Sequence, residues 1–144
     1  MKKYSFPLAA ALRARQLQQD VARSELQKAN LAADAAQLVA KASLEHYEQV
    51  RGGNDADFLA GRQQAGLAAG SLTDARLALA AARAAVDEAM ARYLEAAKAV
   101  SVLEHLDERR RQEHRLDAQR EEATVVDELV VARHALRRKA SGGY

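Results

Sequence analysis

Histidines and carboxylates are the side chains of this chain that could bind a metal or transfer protons. The four histidines are His46, His105, His114 and His134. None has another histidine or a carboxylate four residues later, although Glu108 lies three residues after His105. Because metal sites on helices pair two or more ligands on one face, we expect solvated surface histidines and no bound metal.

Catalytic motifs give no indication of an enzyme. The chain has no phosphate-binding GxxxxGK[ST] loop, no GxGxxG after a strand and no serine nucleophile elbow. Zero cysteines exclude disulfides and thiolate metal ligands. Two extended helices would form no water-excluding pocket that raises a carboxylate pKa for acid-base catalysis. The sequence therefore predicts a protein that is not an enzyme and has no cofactor.

Basic residues occur in two clusters with different surroundings. Arg109, Arg110 and Arg111 are flanked at helical spacing by acidic residues such as Glu104 and Glu113, and the net charge is only +2, so we expect no nucleic-acid binding. The cluster Arg133, Arg137, Arg138 and Lys139 contains no acidic residue. This cluster favours the negative end of a helix dipole and could bind an acidic partner.

Composition predicts an all-α fold. The chain has 49% apolar, 29% charged and 4% aromatic residues with a single proline, a mixture typical of long helices and coiled coils. No apolar run approaches the ~18 residues of a membrane span, so we expect no direct membrane insertion. Seven glycines, concentrated between Gly52 and Gly70, indicate one break between two long helices.

The break sets the predicted boundaries within a single coiled-coil domain, residues 1–144. Helix 1 is predicted at about 6–51, ended by Gly52 and Gly53, and helix 2 at about 71–139, with Ser71 and Asp74 as a capping box. The loop, about 52–70, could hold a short helical piece at 57–64. A glycine-rich connection favours an antiparallel hairpin, with the second helix longer and projecting.

Heptad spacing defines the expected contact between the helices. In helix 2 the spacing is regular over four repeats, and in helix 1 Arg15, Gln19 and Ser43 interrupt it. The helix 1 positions are Leu8, Leu12, Ala22, Leu26, Ala29, Ala33, Ala36, Ala40 and Tyr47. The helix 2 positions are Leu79, Ala82, Val86, Ala89, Tyr93, Ala96, Val100 and Leu103.

Two apolar stripes have no partner within this hairpin. With Arg51 placed opposite Leu72, helix 2 projects beyond about Leu116, with its apolar residues Val125, Val126, Leu129, Val130 and Leu136 uncovered. They would bind a partner, or be covered if the helix bends back or self-associates. A second stripe on helix 1 would contact a third helix, a dimer partner or a different protein. It consists of Leu17, Val21, Leu31, Ala35, Leu38 and Ala42.

The opening "MKKYSFPLAAALRARQLQQD" has two interpretations, a secretory signal or the first turn of a helix. Arg13 and Arg15 interrupt the apolar run, no small-residue cleavage site follows, and the heptad spacing continues from Leu8. Pro7 would occupy the first turn, where a helix tolerates proline. We therefore expect a helix and a cytoplasmic protein.

The chain resembles the flagellar export protein family FliJ at both ends. The segment "VLEHLDERRRQEHRLDAQREEATVVDELVVAR" is similar to the family's second-helix signature: a leucine pair, a charged run and an acidic pair. Those residues are Leu103 and Leu106, then Glu108 to Arg111, then Asp127 and Glu128. Phe6, Leu8, Leu12, Arg13 and Arg15 match the family's F-x-L-x-x-x-L-R-x-R opening.

This resemblance implies a non-enzymatic coiled-coil stalk of the flagellar type III export apparatus, peripheral to the inner face of the cell membrane. Its partners would be the hexameric export ATPase, which it would stimulate, the export-gate membrane protein and export chaperones. The implied ATPase contacts are Arg13, Arg15, Asp127, Glu128 and Arg133, and the implied gate contacts are Leu44, Tyr47 and Leu72. Two alternatives remain: a stalk or regulator of another secretion system or rotary ATPase, and a self-assembling coiled-coil scaffold.

Overall fold

The computed structural model describes residues 2–52 and 58–142 of the chain, and both of its elements are helices. Helix α1 is Ala9–Gly52, with 44 residues, and helix α2 is Phe58–Ser141, with 84 residues. The two helices pack against each other, which confirms the predicted all-α fold with a longer second helix. Helix α1 starts after a turn at Pro7 and Leu8, and the Ala9 amide donates to the Phe6 carbonyl at 3.1 Å.

Helix α2 begins earlier than the sequence predicted. Residues 58–70, assigned to the loop, are helical, so Ser71 is an interior residue and its predicted capping role is wrong. The short helical piece predicted at 57–64 was the one indication of helix in this segment. Residue 57 and Gly53, which was predicted to end helix 1, lie outside the described residues. The cause is packing: Ala68 is buried and Ala65 is half-buried. Tertiary contacts of this kind outweigh the roughly 1 kcal/mol that each interior glycine costs a helix.

The chain forms two compact units. The middle unit is residues 13–100, and the terminal unit combines the N-terminal segment up to Leu12 with residues from Ser101 onward. Helix α2 contributes to both units. The assignment of residues 1–144 to a single domain stays a prediction.

The middle unit is an antiparallel pair of helices. Arg92 on α2 forms an ion pair with Glu25 on α1, with Nη1 and Oε2 3.7 Å apart. The Arg23 guanidinium lies 5.8 Å from the centre of the Tyr93 ring. Further along α1, His46 lines a pocket together with Gln64 of α2. As the residue number along α1 rises, the number of the contacting residue on α2 falls, so the two helices are antiparallel.

The core of the middle unit lies along the predicted heptad seam and continues it toward the start of α2 through Ala68, Leu72 and Ala75, which were not among the predicted seam positions. Small residues dominate it, so that the two helix backbones approach closely. The buried residues are Ala22, Ala68, Leu72, Ala75, Ala89 and Val100. Gln19 and Ser43, the polar interruptions, are half-buried in the seam, whereas Arg15 is exposed. The sequence left open which stripe of helix 1 faces α2, and the structure assigns that role to the stripe containing Ala22 and Leu26.

The register of the two helices differs from the predicted one by one heptad. The expected pairing of Arg51 with Leu72 would place Arg23 opposite Val100, but Arg23 lies at Tyr93, seven residues earlier. The earlier start of α2 accounts for the shift. A displacement of seven residues keeps the same side chains in the seam, since the heptad repeats at that interval.

Candidate functional site

The C-terminal end of helix α2 is an uncovered surface of the terminal unit. Every residue from Gln119 to Gly142 is exposed, and we call the residues 119–141 the C-terminal surface. Six large apolar side chains on it are between 49% and 68% exposed: Val125, Val126, Leu129, Val130, Val131 and Leu136. This confirms the predicted uncovered apolar end. Its 23 residues extend for about 35 Å at the helical rise.

Charges on this part of α2 are divided into two blocks. The acidic block, residues 117–128, has five carboxylates and one arginine, and the basic block, residues 129–142, has four cations and no carboxylate. Within the part of the chain that the structure describes, the only ion pair in these blocks joins Arg120 to Asp117, 3.7 Å apart. The other charged groups therefore face water, where a partner could reach them.

The predicted ATPase contacts lie in both units. Asp127, Glu128 and Arg133 are exposed residues of the C-terminal surface, beside the apolar stretch. Arg13 and Arg15 are exposed near the start of α1 in the middle unit, where Arg15 Nη1 donates to Gln18 Oε1 at 3.1 Å. The structure thus leaves all five side chains accessible. It brings the first three together on one helix.

The predicted gate contacts belong to the seam. Leu72 is 6% exposed, and Leu44 and Tyr47 are half-buried. Their main role in this structure is packing between the helices. More accessible apolar side chains at the same end of the middle unit are Phe58, Leu59 and Leu67, each 73% or 74% exposed. Sequence reasoning missed these three because the glycines of the segment led to its assignment as a loop, although most of the other residues from 58 to 70 are the helix formers Ala, Leu, Gln and Arg.

The second apolar stripe, on α1, is uncovered as predicted. Leu17, Val21, Leu31 and Leu38 are between 59% and 69% exposed. Leu17 and Val21 also border an open groove of the middle unit whose other wall contains Ala96. Mixed charges line the groove, from Arg15, Glu25, Arg92 and Glu95.

An N-terminal clasp in the terminal unit was not predicted. It consists of Tyr4, Asp107, Arg111 and His114. The Tyr4 hydroxyl bonds to the Asp107 carboxylate and lies 3.1 Å from its backbone carbonyl. The Tyr4 ring packs edge-on against His114, with centroids 5.7 Å apart, and Arg111 Cζ lies 5.2 Å from the Tyr4 centroid. His114 Nε2 lies 3.0 Å from the Lys2 carbonyl oxygen.

Hydrogen bonding and charge shift the pKa values in the clasp. The hydrogen bond from Tyr4 lowers the pKa of the Asp107 carboxyl, and Arg111, 3.3 Å away, lowers it further. Desolvation raises the pKa of the Tyr4 phenol, and the bond to Asp107 adds to that rise. Asp107 thus stays ionised and Tyr4 stays protonated, which is the combination that the bond requires. No fixed sequence spacing connects residues 103 positions apart, so the sequence carried no signal for this contact.

Histidines do not assemble a metal site in the described parts of the chain. No group of three potential His, Asp or Glu ligands converges among residues 2–52 and 58–142. His46, His105 and His134 are exposed. His114 corrects the expectation that all four are solvated, because the ring of Tyr4 covers one side of it. In the same described residues, no helix is both long and apolar enough to cross a membrane.

Comparison with known proteins identifies a family. The model of a family described as flagellar FliJ protein matches residues 4–139, nearly the whole chain. The match includes both helices, the clasp tyrosine and most of the C-terminal surface. No curated protein and no solved structure matches significantly.

Proposed function

Because this chain belongs to the flagellar FliJ protein family, we propose that it acts in flagellar protein export as a coiled-coil stalk that binds and stimulates the hexameric export ATPase. The observation that supports the proposal most directly is the C-terminal surface: a single helix with uncovered apolar and charged side chains. Such a helix could enter a ring of subunits and contact several of them. The chain would have no enzymatic activity and no cofactor of its own.

In this proposal the ATPase contacts are Asp127, Glu128 and Arg133 on α2, with Arg13 and Arg15 on α1. All five are exposed, and none of them forms an ion pair with another described residue. Charged side chains without an ion pair among the described residues can pair with a partner without first breaking a salt bridge, although Arg15 would exchange its hydrogen bond to Gln18. The location of Asp127, Glu128 and Arg133 near Leu129 and Val130 on the same helix would add apolar burial to the charge pairing.

The other end of the stalk would contact the export-gate membrane protein. The proposed contacts remain Leu44, Tyr47 and Leu72. Leu72 is 6% exposed, so it would act mainly by packing in the seam and positioning the side chains around it. Phe58 and Leu67 are the side chains beside them with free apolar area. Export chaperones are the third proposed partner, on the α1 stripe around Leu31. The protein would then be cytoplasmic and peripheral to the inner face of the cell membrane at the flagellar base.

Replacing Asp127 and Glu128 together by alanine tests the ATPase contact. Stimulation of the purified export ATPase should fall, while far-ultraviolet circular dichroism shows unchanged helicity. The matched control is Asp87→Ala with Glu88→Ala, an adjacent exposed acidic pair on the same helix but in the middle unit. Full stimulation by the Asp127 and Glu128 variant would refute this placement of the contact. Equal loss in both variants would point to a general charge effect.

A further inference from the structure

We propose that the C-terminal surface also binds a second copy of itself, in antiparallel orientation, and forms a homodimer that covers the residues assigned to the ATPase. The dimer does not depend on the ATPase proposal, because it follows from the charge order and apolar spacing of this one helix. It would be a resting form of the protein. Binding to another partner through the same surface would require the dimer to dissociate.

The order of charges argues for a second copy. The acidic block has a net charge of −4 and the basic block a net charge of +4. Two copies of this helix in parallel would place like blocks side by side, which is destabilising. Two antiparallel copies place each acidic block along the other copy's basic block. One helix thus carries both halves of a complementary surface, in the reversed order that an antiparallel partner requires.

Apolar side chains occupy the centre of the same segment. Val125, Leu129, Ala132 and Leu136 follow the alternating spacing of four and three residues that coiled coils use. All four are exposed, so no described residue of the terminal unit covers this stripe. The stripe lies across the boundary between the two charge blocks. Antiparallel pairing therefore packs the apolar side chains of the two copies against each other and places each acidic block beside a basic block. This is a self-complementary contact of the kind that a two-fold dimer needs.

Sedimentation equilibrium of the full chain over a wide concentration range tests the dimer. We expect a monomer–dimer equilibrium that weakens as salt rises toward about 1 M, where the screening length is about 3 Å. Leu129→Glu should reduce the association constant by at least about tenfold, which is the effect of a 1.4 kcal/mol loss. The matched control is Leu31→Glu, since Leu31 and Leu129 are 69% and 61% exposed. That control should leave dimerisation unchanged.

Charge reversal tests the pairing of blocks. Glu121→Lys with Glu122→Lys should weaken the dimer, and so should Arg137→Glu with Arg138→Glu. All four substitutions in one chain exchange the signs at these four positions, so that positions 121 and 122 can again pair with positions 137 and 138 of the other copy, and should restore the dimer. A fourfold variant that associates less than either double variant would overturn the antiparallel pairing.

The absence of cysteine allows orientation to be measured directly. In an equal mixture of Gln119→Cys and Ala135→Cys chains, a flexible bis-maleimide should link position 119 mainly to 135, as read by mass spectrometry. Predominant 119–119 and 135–135 links would overturn the proposal. A chain that stays monomeric at every concentration in low salt, or a dimer that survives Leu129→Glu but not Leu31→Glu, would overturn it as well.

Discussion

Gly66 and Gly70 give a test of whether helix α2 truly begins before Ser71. Both lie in α2, and a Cβ atom added to either would meet no atom within 4 Å. Neither has a positive φ. Replacing each with alanine therefore adds no clash and removes only the backbone freedom that glycine loses on folding, about 0.5–1 kcal/mol per site. The double variant should be stabilised by about 1–2 kcal/mol.

The assay is urea denaturation followed by far-ultraviolet circular dichroism. A midpoint that rises with an unchanged slope would report a change in stability alone. For a chain of this size the same gain should raise the melting temperature by about 2–8 °C. Ala78→Gly, at an exposed position further along α2, should lower stability by about the amount that one glycine replacement adds.

The sign of the change distinguishes two structures. If residues 58–70 were a loop that used the left-handed conformations open to glycine, the alanines would destabilise the protein. A fall in the urea midpoint of the double variant, with Ala78→Gly behaving as expected, would refute the helical assignment of this segment and the register that depends on it.

Three further predictions concern the seam and the clasp. Leu72→Ala, at a buried seam position, should lower the free energy of unfolding by about 2–4 kcal/mol, as measured by urea denaturation. Leu77→Ala, at 65% exposure, should change it by less than about 0.5 kcal/mol. Similar losses in the two variants would contradict the assigned seam. Tyr4→Phe should raise the pKa of Asp107 toward its ordinary value, because it removes the hydrogen bond that lowers it, and NMR titration of the carboxyl would reveal an unchanged pKa if the clasp does not form in solution. Arg23→Gln should raise the lowered pKa of Tyr93, since the hydrogen bond from Arg23 is its main cause, and ultraviolet titration would show it, with Arg76→Gln as a control distant from Tyr93.

The pH dependence of the clasp follows from its carboxylate. The pKa of Asp107 is lower in the folded chain than in the unfolded chain, so its contribution to stability is present above the unfolded value. That contribution is lost as the pH falls through the lowered, folded value. Tyr4 acts in the opposite direction: its raised pKa means that its contribution is lost as the pH rises through the folded value. The clasp is therefore most stable between these two limits.

Heptad spacing was enough to predict which face of helix α2 packs against helix α1, but not which of the two stripes of α1 it meets. Leu79, Val86, Tyr93 and Val100 recur every seven residues, and all of them are buried or half-buried. The same repetition could not predict the register, because displacing one helix along the other by one heptad brings equivalent residues into the seam. Glycine content then gave the wrong boundary: Gly61, Gly66 and Gly70 indicated a loop, but packing around Ala65 and Ala68 keeps the segment helical. Local propensity could not reveal that long-range contact.

The sequence predicted the exposure of the C-terminal surface, which follows from the lack of a facing helix. It did not predict the N-terminal clasp, which depends on a specific contact. Val125 and Leu129 lie on helix α2 past the end of the shorter helix, so their exposure followed from the difference in helix length. The clasp could not be predicted, because Tyr4 lies in a non-helical segment whose path no repeat specifies. An uncharged run at the N-terminus indicated only a signal or a first turn. Its actual role depends on one hydroxyl reaching Asp107.

Burial of Leu72 changes how the proposed gate contact should be tested. A loss of binding in Leu72→Ala would not separate a direct contact from a disturbed seam, because Leu72 is only 6% exposed. Leu67 lies five residues earlier and is 74% exposed, so Leu67→Ala removes apolar area with little effect on packing. If Leu67→Ala weakens binding to the export-gate protein at unchanged stability, this end of α2 is a direct contact. If only Leu72→Ala weakens binding, in proportion to its loss of stability, the contact lies elsewhere and the seam acts as its support.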